Sequence, residues 1–143
     1  MHELILISAG LLMISHAVFL FRKRVLLTER YANTIVSVIA AGAGLTLSLA
    51  HTALFEGQLL WMISGISLLS GCLYGVLSGY MSAAIAGSVN GSIGSAMGIM
   101  TGEVLLNPAL CGLPTQDGQI LLPLFSLLFF ILISLLILLS YKY

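Results

Sequence analysis

Few side chains in this 143-residue chain could do chemistry: three histidines, two cysteines and five carboxylates, set among long apolar runs. His16 falls inside the first such run, about 6 Å to the cytoplasmic side of its middle at a rise of about 1.5 Å per residue. An ionisable group at that depth is costly unless it faces protein or water, which makes His16 a candidate proton-relay or ion-path residue. The plainer alternative is a neutral imidazole bonded to a nearby serine or backbone carbonyl. His51 and Glu103 lie near the outer ends of the second and fourth runs, with Glu56 after the one and Asn107 and Cys111 after the other. Imidazole, carboxylate and thiolate all bind transition metals. His51, Glu103 and Cys111 are therefore a candidate metal set, to which Met97 and Met100 could add thioethers, although no paired-ligand spacing such as CxxC or HxxxH occurs. Asn90, in an Asn-Gly pair, completes the polar candidates together with Asn107.

Several chemistries are excluded. His16 and His51 fall near opposite leaflets and could not share one haem iron. The glycine-rich stretches lack the Lys-Ser/Thr of a phosphate-binding loop. Neither histidine has a carboxylate at its own depth to complete a hydrolytic triad. The chain is thus expected to be neither an enzyme nor a cofactor carrier. Five basic and five acidic residues leave no net charge and no basic face for nucleic acid.

The elements that position these groups follow from composition. With 59% hydrophobic and 7% charged residues, and a mean hydropathy of +1.14, water is not the main solvent of this chain. The reading is an all-α integral membrane protein, one domain of five transmembrane helices over 3–21, 31–54, 59–82, 86–106 and 119–141. Each has the length of about 20 residues that a bilayer requires. Met1-His2-Glu3 precedes the first run and Arg22-Lys23-Arg24 follows it, the reverse of a cleavable signal, so the first helix is expected to be retained. All five basic residues then fall on the cytoplasmic side, with the N-terminus outside and the C-terminus inside. Among the acids, only Glu29 shares that side. Trp61, Tyr31, Tyr80, Tyr141 and Tyr143 fall near the expected interfaces, with Tyr74 deeper. The expected location is the multi-pass cytoplasmic membrane of a bacterium, with membrane lipid as the immediate partner.

The third and fourth runs are divided by no charge, and the expected break is Gly87-Ser88-Val89-Asn90-Gly91, where Asn-Gly signals a turn. That would put Asn90 in a cytoplasmic turn. The alternative is four crossings with a re-entrant glycine-rich segment, which would place Asn90 inside the membrane. Cys72, about 20 Å into its helix, and Cys111, in an outer loop, are too far apart in depth for an intramolecular disulfide. Cys111 remains available for pairing between subunits.

The strongest pattern is a stripe of small residues. Gly87, Gly91, Gly94, Gly98 and Gly102 are spaced four, three, four and four apart, which puts them on one face of a helix. Gly71, Gly75 and Gly79, with Ser64, Ser67 and Ala83, repeat much the same rhythm on the preceding helix. Apolar solvent does not drive helices together, so their association depends on close backbone approach, which glycine permits. Since glycine costs about 1 kcal/mol of helix propensity against alanine, five on one face need a compensating contact. Either the two helices form a tight hairpin, or one stripe packs within the subunit while the other surrounds an oligomer axis or lines a narrow path. In spacing alone, the run from Gly87 to Gly102 resembles the pore-lining helices of small mechanosensitive channels, and no residue's role is carried over from that likeness. The functional expectation is a small homo-oligomeric transport or channel protein with Glu103 at the outer end of the path. The alternatives are a non-transporting subunit or scaffold of a larger membrane complex, docked through the glycine faces, and a metal-handling membrane protein.

Overall fold

The computed structural model describes residues 2–55, 60–106 and, between 127 and 137, all but 129, 133 and 136. The described residues are helical, with no strand among them. Helix α1 spans His2–Lys23, α2 Glu29–Phe55, α3 Leu60–Ser78 and α4 Met81–Leu106. The described residues between 127 and 137 are also helical.

Local chemistry accounts for the ends of these elements. Arg22 and Lys23 occupy the last turn of α1, where cations meet the negative end of the helix dipole. Thr28, a residue type favoured at helix starts, accepts the first intrahelical bond of α2 from Ala32 N at 2.9 Å, and Glu29 supplies an acid to the first turn. Helix α3 ends at Gly79, whose φ of 87° is open to glycine and strained for other residues, and Gly79 N bonds back to Val76 O at 3.0 Å. Helix α4 begins two residues later.

The break between the third and fourth segments therefore lies at Gly79-Tyr80, not at Gly87–Gly91. Asn90 is inside α4, where its Nδ2 donates to Ala86 O at 2.8 Å, so the expected cytoplasmic turn is corrected. The continuity of Met81–Leu106 equally leaves no re-entrant break there. An Asn-Gly pair is only a local preference, and here tertiary contacts on Gly91 and Gly87 hold the segment helical.

Helices α2, α3 and α4 form the tight body of the molecule. In the α3–α4 hairpin, Ser67 faces Gly91, Gly71 faces Gly87 and Gly75 faces Ala84, in antiparallel register. The α2–α4 pair runs parallel, with Ala41 against Gly94, Ser48 against Gly98 and Thr52 against Gly102. Near the α1–α2 connection the core is apolar, formed by Leu20, Leu27, Ile35, Val36, Ile39 and Phe130. Farther along α2 it becomes a seam of buried hydroxyls, including Thr46, Ser48 and Thr52, each bonded to a carbonyl one turn earlier on its own helix.

Large apolar side chains lie on the outside. Ile85, Val89, Ile93, Met97 and Met100 are exposed on the side of α4 away from its glycines. Met62, Ile66, Leu69, Leu73 and Val76 do the same on α3, and Ile7, Leu11, Ile14, Val18 and Phe21 on α1. One helix, over Glu29–Thr52 of α2, is long and apolar enough to cross a membrane among the described residues. The apolar part of α3, Met62–Ser78, is shorter.

Candidate functional site

His16 stands on α1 with its side chain turned inward and 7% exposed. Its Nδ1 lies 2.7 Å from the carbonyl oxygen of Leu12, one turn earlier. A carbonyl can only accept, so Nδ1 carries the proton, and in the neutral ring Nε2 is left as the basic nitrogen. The ring rests on Phe130, with centroids 5.4 Å apart and planes tilted by 38°. Phe130 is fully buried and its carbonyl receives the Ser134 hydroxyl at 2.7 Å. Having donated its proton, the Ser134 oxygen keeps its lone pairs as acceptors. Leu12, Ser15, His16, Phe19, Ser134 and Ile137 line a recess of about 130 Å³ between α1 and the C-terminal helical residues. A water needs roughly 10–15 Å³ measured in the same way, so the recess has room for several waters or a small hydrated ion. It brings one imidazole and two hydroxyls together in otherwise apolar surroundings.

The glycine stripe has a different environment. A Cβ placed on Gly87 would run into Gly71 O and come within 2.7 Å of Val36 Cγ1; on Gly91 it would meet Ser67 O at 2.8 Å. On Gly94 it would strike Ala41, with the carbonyl carbon at 2.9 Å, and on Gly98 it would strike Ser48 Oγ and approach Leu45 O to 2.7 Å. On Gly102 it would meet Thr52 Cβ at 2.7 Å. All five glycines are buried, and every close partner belongs to α2 or α3 of the same chain. Gly71 and Gly75 are covered in turn by α4. Gly79 is the exception, exposed in the turn with nothing within 4 Å of its would-be Cβ.

With backbone filling the glycine faces, those faces offer neither a path within the chain nor a docking surface for another protein. The hairpin contact with the third helix that the spacing had offered accounts for Gly87 and Gly91, which meet Gly71 and Ser67, but the rest of the stripe has a partner that the spacing had not named. That partner is mostly α2, whose Ala41, Gly44, Ser48 and Thr52 repeat the three-four-four spacing of Gly91, Gly94, Gly98 and Gly102. The same small-residue rhythm was present in the second segment and is the signal that points to it. Between α3 and α4, Ser67 Oγ donates to Gly91 O at 2.7 Å.

The remaining described candidates His51 and Glu103 flank the contact of Thr52 with Gly102 between α2 and α4. His51 is half-buried on α2, and Glu103 is half-buried near the end of α4. Among the described residues, no three His, Cys, Asp or Glu side chains gather into a metal-holding group. Asn107 and Cys111 lie outside the described residues, and Cys72 is a half-buried free thiol. Ser134 and Phe130, which form the His16 recess from the far end of the chain, had no signature in the sequence beyond a serine in an apolar run. Comparison with protein-family models, with curated proteins and with solved structures finds no match for this chain.

Proposed function

We propose that the chain is a multi-pass membrane protein that works in transport as an oligomer, moving protons or a small cation past the His16 recess. The membrane placement is supported by the distribution of side chains: glycine and hydroxyl groups inside, bulky apolar groups outside on α1, α3 and α4. Contiguous exposed apolar surface of this kind marks a membrane or protein contact. The observation that carries the transport reading is the recess itself, in which a histidine with one nitrogen tied to Leu12 O leaves the other as base beside Ser15 and Ser134. Ionisable residues facing such intramembrane pockets serve as relays and ion sites. This reading moves the path from the glycine stripe to the edge formed by α1.

Purified protein in liposomes tests the proposal. Proton or monovalent-cation flux should appear with the parent chain and fall at least tenfold in His16→Ala, while the size of the detergent-solubilised oligomer stays the same. Flux that is indifferent to His16→Ala removes the recess from the mechanism. A second reading, a non-transporting subunit of a membrane complex, is favoured by the close packing of α2, α3 and α4, which leaves their shared seam filled by backbone. It expects no flux from the purified chain and a partner recovered at fixed stoichiometry in mild detergent.

A further inference from the structure

The α1–α2 connection combines charge and apolar surface in a way that neither helix packing nor the His16 recess uses. Arg22, Lys23, Arg24 and Arg30 crowd one end of the molecule, and Arg22, Arg24 and Arg30 are exposed. Between them, at the tip, Val25 is 85% exposed and Leu26 68%. The Arg24 guanidinium lies over the exposed ring of Phe21, 5.3 Å from its centroid. Glu29, the one acid in this stretch, accepts a hydrogen bond from Ser82 Oγ at 2.8 Å and so leans toward α4. The tip is held in shape by Leu26 N bonding to Lys23 O at 2.9 Å and by the Tyr80 hydroxyl donating to Leu27 O at 2.8 Å.

We infer that this tip is a binding surface for anionic phospholipid, with Arg22, Arg24 and Arg30 on the headgroup phosphates and the exposed Val25 and Leu26 beside them at the headgroup boundary. Guanidinium groups bind phosphate oxygens in a fork that a zwitterionic headgroup, with its own ammonium nearby, satisfies less well. Basic residues at a membrane surface each add about 1 kcal/mol of attraction to anionic lipid, or about fivefold in affinity. An exposed valine and leucine between cations would be a liability in water, but they match the boundary between headgroups and acyl chains. The inference rests on the membrane reading and is independent of transport.

The test uses the full purified chain in mild detergent, titrated with phosphatidylglycerol or phosphatidylcholine, with retained lipid counted by native mass spectrometry. Phosphatidylglycerol should be retained preferentially. The triple variant Arg22→Gln/Arg24→Gln/Arg30→Gln should lose about 100-fold in that retention, each position contributing about fivefold. Should the triple variant fail to fold, the exposed single change Arg30→Gln carries the test, with the same fivefold loss expected. Val25→Ser/Leu26→Ser should weaken retention of both lipids and keep the preference. Equal retention of the two lipids, retention unchanged in the arginine variants, or displacement by millimolar inorganic phosphate would each overturn the inference. A chain that resists alkaline extraction from membranes yet shows no headgroup preference loses this inference alone. A chain that is stripped by alkali yet prefers phosphatidylglycerol loses the spanning reading alone.

Discussion

Glycine plays three different parts in this molecule, and single substitutions separate them. Gly94 supports the backbone of Ala41 at a distance no side chain could fill. Gly94→Ala should therefore force α4 away from α2 and lower the thermal midpoint in detergent, at a cost of about 1–3 kcal/mol from overpacking. Gly65, inside α3, has nothing within 4 Å of its would-be Cβ, and Gly65→Ala should instead stabilise the protein by up to about 1 kcal/mol as helix propensity improves. If the two variants shift the midpoint in the same direction, the contacts described at Gly94 are not those that hold the helices together. The serines along the seam are also not equivalent. Most return their hydroxyl protons to their own helix, while Ser67 spans two helices and Ser95 Oγ is buried with no partner among the described residues.

Among the elements, the sequence predicted four of the helices closely and misplaced the junction between two. The apolar runs outline α1 to α4 because each run is broken by charge or by glycine near the ends of its helix. The junction was misread because Asn90-Gly91 is a turn signal in water, whereas here Gly91 fits against Ser67 O and Asn90 caps nothing but a carbonyl of its own helix. The true turn at Gly79 carried its own turn dipeptide, Ser78-Gly79, which the Asn-Gly pair twelve residues later outweighed in the reading. The fifth run is legible as helix at the described residues between 127 and 137, and its contact with His16 could not be inferred, since nothing local couples positions so far apart in sequence. Two substitutions check the relocated turn. Gly79→Ala, forced to hold a φ of 87°, should cost about 1–2 kcal/mol in the thermal midpoint. Asn90→Ala, which removes a bond within one helix turn, should stay within about 0.5 kcal/mol of the parent. The reverse ranking would return the turn to Asn90-Gly91.

At the scale of the whole molecule, the described helices carry large apolar side chains on their outer faces as well as in the core. Hydroxyls and glycines are enclosed beside the apolar core, and large apolar side chains also face outward, as the proposed membrane placement requires. The chain should accordingly stay with the membrane pellet after washing at alkaline pH and high salt. Recovery in the supernatant would show that the exposed stripes on α1, α3 and α4 are covered by protein instead of lipid. From sequence, the apolar outer faces were visible in the composition, and a face of small residues in the glycine spacing. The second packing partner, α2, was hidden, because Ala41, Ser48 and Thr52 look like ordinary helix residues until a second helix with the same step lies parallel to them.

The uncharged hairpin also bears on how the chain is made. No lysine, arginine, aspartate or glutamate lies between Glu56 and Glu103, and the bend at Gly79-Tyr80 occupies two residues. Such a hairpin offers the insertion machinery no ionic cue of its own during synthesis. On the membrane reading proposed above, its orientation follows from the arginine-rich connection that emerges before it, so the direction of about a third of the chain is decided before that third has been translated.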